Sequence, residues 1–106
     1  MSFIASASQK ALLNMQKSFI EMSQISLLNQ ININKQLMQN IENQCGDDYD
    51  QDPYYRYYAL LDEQYGEQKD SLESERTLIQ EQINQLNTLV KTEMQNSTKL
   101  NYAGGS

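Results

Sequence analysis

The apolar and polar positions in the first half of the chain repeat with the period of an α-helix from residue 3 to residue 44. At about 100° per residue, every charged side chain of this segment falls within a stripe roughly 60° wide. These side chains are Lys10, Lys17, Glu21, Lys35 and Glu42. Their alignment over about eleven turns predicts one long helix. The apolar side chains cover much of the remaining circumference and rotate along the segment, which is typical of a helix that contacts more than one neighbour.

A short acidic turn over residues 45–52 is predicted to follow this helix. Gly46 is suited to the left-handed backbone conformation that ends many helices. Asp52 and Pro53 are the residue types preferred at the N-cap and at the first position of a new helix. Because the connection is short, the two helices are predicted to be antiparallel neighbours.

The second half of the chain predicts a coiled-coil helix from residue 53 to residue 101. Tyr65, Leu72, Ile79 and Leu86 are spaced by sevens, which is the repeat of a coiled coil. The clearest seam alternates spacings of four and three residues and consists of Ile79, Ile83, Leu86, Val90 and Met94.

Two features modify this second helix. Gly66 lies in its middle, where glycine costs about 1 kcal/mol relative to alanine, so we expect a kink or a break into two helices nearby. Residues 102–106 are predicted to form a non-helical tail. The fold class predicted is therefore all-α, a long antiparallel helical hairpin with coiled-coil character, and residues 1–106 are predicted to form a single domain.

Charge and hydropathy narrow the range of partners. Of the formal net charge of −6, residues 1–45 contribute +1 and the remaining residues −7. An acidic second half repels phosphate backbones and anionic lipids, so we expect no nucleic-acid partner. No segment approaches the roughly 20 apolar residues of a membrane-spanning helix, so membrane insertion is not expected either. The first ten residues lack the pattern of a cleaved signal peptide, which leaves open a cytoplasmic location and export by a signal-independent route.

The residue types that catalysis requires are scarce. The chain has no His and one Cys, Cys45, so a zinc site and an internal disulfide are not expected. A free thiol at a helix end and an intermolecular bridge are the alternatives for Cys45. The sequence contains no nucleophile in a recognisable setting and no glycine-rich phosphate loop. We therefore expect no enzymatic activity, no cofactor and no metal.

The acidic turn has the spacing of the first half of a calcium loop. Asp48, Asp50 and Asp52 alternate as calcium ligands do. Pro53 stands where the calcium loop needs Gly, and Ala59 stands where it needs the closing Glu. The turn is therefore expected to be solvated, with its last carboxylate capping a helix.

Helix–helix contacts are the predicted functional site. In the first helix, the expected contact residues are Leu12, Met15, Phe19, Met22, Leu27, Ile31, Met38 and Ile41. In the second helix, they are Tyr54, Tyr57, Tyr58, Leu72, Ile79, Ile83, Leu86 and Val90. The tyrosines near the turn point in several directions on a helix, so some must be exposed. A contact tip at the bend and packing within one subunit both remain open for them.

A short acidic turn between two long helices, after a start rich in Ser, Ile, Asn and Gln, resembles in overall plan the helical-hairpin subunits exported by type III or flagellar machinery. The Pro-containing turn of needle subunits is matched by Asp52 and Pro53. More loosely, the chain is similar to the small helical-hairpin proteins secreted by the Esx pathway, although it has no Trp for their Trp-x-Gly turn. The resemblance covers the plan of the hairpin and assigns a role to no individual residue.

Two functions follow from these patterns as hypotheses. The first is a non-enzymatic structural subunit that self-assembles through helix–helix packing into a filament or another oligomer. The alternative is an adaptor or chaperone-like module that binds another helical protein. A chain that folds only on binding is a third and weaker hypothesis.

Overall fold

A computed structural model describes the backbone of residues 3–104 and the burial of the side chains of residues 4–96. Helix α1 spans Phe3–Cys45, a 3-10 helix spans Gly46–Gln51, and helix α2 spans Pro53–Gly104. The described residues contain no strand. The predicted fold class, an all-α antiparallel helical hairpin, is therefore confirmed.

The end of α2 differs from the prediction. The helix continues through Gly104, so the non-helical tail predicted from residue 102 onwards is wrong for residues 102–104. Extending an existing helix by a residue adds a hydrogen bond without a new nucleation cost, and Ala103 has the highest helix propensity. Gly105 and Ser106 lie outside the described residues.

The turn forms as its residues predict. Gly46 has a φ of 63°, in the left-handed region. The Oδ1 atom of Asp52 accepts hydrogen bonds from the backbone N–H groups of Tyr54, at 2.8 Å, and Tyr55, at 3.1 Å. Two of the amides that a helix N-terminus leaves without intrahelical partners are thereby satisfied. The N-cap at Asp52 and the start of α2 at Pro53 are both confirmed.

The chain divides into two compact units, each supplied by parts of both helices. Unit 1 consists of residues Met1–Ile20 and Glu75–Ser106, as far as they are described, and unit 2 consists of Glu21–Ser74. In unit 1, Ile83 is 4% exposed, and the fully buried Ser6 donates a hydrogen bond to Glu93 Oε1 at 3.3 Å. The residue of α2 that faces α1 at the level of Ser6 is therefore Glu93, which is half-buried. Met94, which was predicted to lie in the seam, is exposed.

Unit 2 also combines apolar and polar burial. Leu27 and Ile31 are buried. Asn34 is 3% exposed, and its side-chain amide donates a hydrogen bond to the carbonyl oxygen of Tyr58 at 2.8 Å. A buried amide that is paired in this way ties α1 to one position along α2.

The side of α1 that packs within the hairpin follows a heptad repeat. Its buried and half-buried residues alternate spacings of four and three: Ser6, Lys10, Leu13, Lys17, Ile20, Gln24, Leu27, Ile31, Asn34, Met38 and Ile41. Such spacing keeps one face of a helix towards its neighbour. The predicted charge stripe overlaps this seam, because Lys10, Lys17 and the adjacent Glu21 are half-buried. Long basic side chains tolerate such positions by packing their methylene groups and keeping the charge at the edge.

Gly66 does not break α2, because the helix is continuous from Pro53 to Gly104. The predicted division into two helices is therefore wrong, and a kink at Gly66 remains a prediction. Intrahelical hydrogen bonding on both sides of one glycine outweighs a propensity penalty of about 1 kcal/mol.

Gly66→Ala is expected to raise the free energy of unfolding by about 1 kcal/mol, because alanine has the higher helix propensity. A Cβ atom at Gly66 would meet no atom within 4 Å. Urea denaturation followed by circular dichroism measures the change. Gly46→Ala is the matched comparison: its φ of 63° predicts a loss of about 1–2 kcal/mol. A destabilised Gly66→Ala variant would contradict the expectation.

Candidate interaction surface

The residues predicted to form contacts divide into two groups. The larger group is buried or half-buried in the hairpin and consists of Leu27, Ile31, Met38, Ile41, Tyr58, Leu72, Ile79, Ile83, Leu86 and Val90. The second group is exposed and consists of Leu12, Met15, Phe19, Met22, Tyr54 and Tyr57. The first group holds the two helices of one chain together. The second group is available for contacts outside the chain.

Four of the exposed residues form a regular stripe on α1, here called the outer stripe. Leu12, Met15, Phe19 and Met22 are 54%, 60%, 66% and 65% exposed, respectively. They are spaced by three, four and three residues, so their side chains lie on one face of the helix. At about 100° per residue, the mean direction of the outer stripe is nearly opposite that of the seam residues between Ser6 and Gln24.

The exposed surface of α1 around the outer stripe carries no charged side chain. Between Ile4 and Asn34, every exposed residue of α1 is uncharged, whereas Lys10, Lys17 and Glu21 are half-buried. A helix that meets water usually places its charged residues outward and its large apolar residues inward. In this part of α1 the charged residues are instead half-buried, and a row of large apolar residues is exposed.

The outward side of α1 also carries exposed isoleucines that were not among the contact residues predicted from the sequence. Ile4 is 76% exposed, Ile25 is 62% exposed and Ile33 is 58% exposed. Ile25 lies three residues after Met22, one turn further along α1, so helical spacing from the outer stripe was sufficient to identify it. Ile33 lies two heptads after Phe19, so the same spacing also identifies it. Ile4 required knowledge of which side of α1 faces α2.

The tyrosine cluster at the bend is divided between packing and exposure. The rings of Tyr49 and Tyr55 lie edge to face with centroids 4.9 Å apart, and both residues are half-buried. Tyr57 and Tyr58 form a second edge-to-face pair at 5.6 Å. Tyr54 and Tyr57 remain 68% and 57% exposed. Packing within the chain and an exposed aromatic surface therefore both occur, on different members of the cluster.

Tyr55 also links the end of α1 to the start of α2. Its hydroxyl group donates a hydrogen bond to Glu42 Oε1 at 3.3 Å. The pKa of the Tyr55 phenol is raised above its ordinary value, first by desolvation and next by the negative charge of Glu42, with smaller contributions from Tyr49 and Asp50. Both main causes disfavour the phenolate, so the neutral hydroxyl remains available as a donor.

The acidic turn serves the fold through Asp52. This carboxylate caps α2, as described above. Among the described residues, no group of three or more His, Cys, Asp or Glu side chains is placed to hold a metal ion. Cys45, at the end of α1, is an exposed free cysteine. No stretch of the described helices is both long and apolar enough to cross a membrane.

No protein-family model matches the chain, and no curated protein or solved structure shows significant similarity to it. The resemblance to exported hairpin subunits therefore remains a prediction from the sequence.

Glu42→Gln is expected to lower the pKa of Tyr55 towards its ordinary value of about 10, because the variant loses the neighbouring negative charge. The raised pKa stabilises the fold below the unfolded-state value of about 10, and this stabilisation is lost as the pH rises through the folded-state pKa. NMR titration of tyrosine labelled with ¹³C at Cζ measures both proteins. Glu67→Gln, at an exposed position elsewhere on α2, is the control. An unchanged Tyr55 titration in Glu42→Gln would contradict the role of Glu42.

Proposed function

We propose that this protein is a non-enzymatic structural subunit that self-assembles through helix–helix packing into a filament or another oligomer. The observation that carries the proposal is the outer stripe, a regular row of large apolar side chains on an uncharged helix face. Its heptad-type spacing suits another helix as the partner, because alternating spacings of three and four let side chains interlock along a shared axis.

The seam of α1 supports the same function. Lys10 and Lys17 occupy half-buried seam positions while Leu12 and Phe19 are exposed. Exposing a large apolar side chain forgoes about 1.5–3 kcal/mol relative to its full burial. An assembly that covers the outer stripe recovers much of this free energy, whereas an isolated chain does not.

The free energies of burial and of association predict that the degree of assembly depends on protein concentration. The stripe residues are already partly covered, so completing their burial contributes about 1–2 kcal/mol each. Two copies that cover each other gain this contribution from both stripes. The loss of translational and rotational freedom on association opposes it with about 4–15 kcal/mol. The two quantities are of similar size, so the degree of assembly should respond to protein concentration.

A helical adaptor is the second candidate function. Tyr54 and Tyr57 favour it, since they are exposed on α2 and do not belong to the outer stripe. Tyrosines are enriched at protein interfaces, where they offer a large contact area at low cost in conformational entropy. In this function the outer stripe receives a helix of another protein.

Replacement of two stripe residues tests the structural function. Leu12→Lys with Phe19→Lys places two charges on the outer stripe, and we expect the concentration for half-assembly to rise at least tenfold, which corresponds to about 1.4 kcal/mol. Size exclusion with light scattering over a range of concentrations, followed by negative-stain microscopy, measures the effect. The matched control is Leu60→Lys with Leu78→Lys, on α2, where the replaced residues are 54% and 56% exposed.

The control variant changes the net charge by the same amount and is expected to assemble like the unaltered chain. Circular dichroism verifies that all three proteins are helical. A protein that remains monomeric at every concentration would overturn the structural function and favour the adaptor. A stripe variant that assembles normally would remove the outer stripe from the interface.

A further inference from the structure

Charge is distributed unequally between the two units of the chain. Residues 21–74 contain eleven acidic and three basic side chains, a net charge of −8. Residues 1–20 and 75–106 contain three acidic and five basic side chains, a net charge of +2. Four of the carboxylates lie in the turn that follows α1, at Asp47, Asp48, Asp50 and Asp52. An arrangement of two copies that sets these acidic segments together would bring many like charges close to one another.

A parallel pair of α1 helices, in register through the outer stripe, would set the two acidic segments side by side. Packed helices lie about 8–10 Å apart. The Debye length at physiological ionic strength is about 8 Å, so salt screens this repulsion only in part. Like charges along the whole acidic part of each copy therefore oppose the parallel arrangement.

An antiparallel pair avoids this repulsion and covers the same apolar side chains. With the two α1 helices crossing at the level of Lys17, Leu12 of one copy lies against Met22 of the other, and Met15 lies against Phe19. The turns then lie at opposite ends of the pair. The overlap comprises residues 4–30 of each α1, where every exposed residue is uncharged.

Side-chain chemistry favours the same arrangement. A methionine sulfur packs favourably against the edge of an aromatic ring. The antiparallel pair forms this contact twice, between Met15 and Phe19 in each direction, whereas the parallel pair sets Met15 on Met15 and Phe19 on Phe19. The resulting interface is isologous, since each residue contact is repeated by the two-fold axis.

We propose that the first step of assembly is a two-fold symmetric pair in which the outer stripes of two copies pack antiparallel, centred at the level of Lys17. The inference rests on the proposed self-assembly and adds the identity of the partner, the direction of packing and its register.

Cross-linking between two single-cysteine chains tests the direction and register. Ser8 and Ser26 are exposed and lie on the same face of α1 as the outer stripe. Ser8 lies one turn before Leu12, and Ser26 lies one turn after Met22. In the antiparallel pair, Ser8 of one copy is level with Ser26 of the other. Ser8→Cys and Ser26→Cys are prepared separately in full-length chains with Cys45→Ser, and one carries a size tag. A thiol cross-linker with a reach of about 8–10 Å matches the spacing of packed helices.

The expected result is a cross-linked heterodimer in the mixture and little cross-linking of either variant by itself. Two Ser8 positions in the antiparallel pair are separated by about 27 Å along the axis, as are two Ser26 positions, because each lies nine residues from the centre. A parallel pair gives the opposite pattern, in which each variant cross-links by itself. That result would overturn the inference while the proposed self-assembly stands.

Light scattering on the same samples separates the remaining outcomes. Association without a cross-link between Cys at positions 8 and 26 overturns the antiparallel register but not self-assembly. Monomers at every concentration overturn both the inference and the proposed function. A cross-linked heterodimer that disappears when Leu12→Lys and Phe19→Lys are added places the outer stripe in the contact.

Discussion

The packing of α1 against α2 through one narrow seam is the constraint on which the rest of the structure depends. A helix in a two-helix hairpin buries only one side, so the choice of that side decides what the opposite side exposes. In α1 the chosen side includes Lys10, Lys17 and Asn34, together with Leu27 and Ile31. Each polar residue in the seam displaces an apolar residue that would otherwise be buried there.

Two buried polar residues offset part of this loss by making specific hydrogen bonds. Ser6 pairs with Glu93, and Asn34 pairs with the carbonyl oxygen of Tyr58. A sliding movement of one helix along the other would leave these groups buried without partners, at about 1–3 kcal/mol for each group. Apolar contacts alone would tolerate such a movement more easily. The polar seam therefore contributes to the register of the hairpin more than to its stability, as polar residues in coiled-coil seams often do.

The outward face follows from the same choice. Because the seam accommodates Lys10 and Lys17, the row from Leu12 to Met22 faces away from α2. The acidic residues are concentrated in the bend and in the middle of the chain, apart from that row. The apolar row and most of the acidic residues therefore lie in different parts of the chain, and the proposed direction of association depends on this separation.

The helices, the turn and its caps were determined by the sequence, because these depend on local interactions. Helical spacing, the left-handed Gly46 and the N-cap Asp52 act within a few residues and need no distant partner. Helix α2 continues through Gly66 and extends to Gly104 because a long helix forms cooperatively. The helix propensities of single residues do not describe this cooperativity. Only the tertiary structure decided which face of α1 meets α2. Leu12 and Leu27 are equivalent as apolar helical residues in the sequence, yet one is exposed and the other buried, because burial depends on the position of the neighbouring helix.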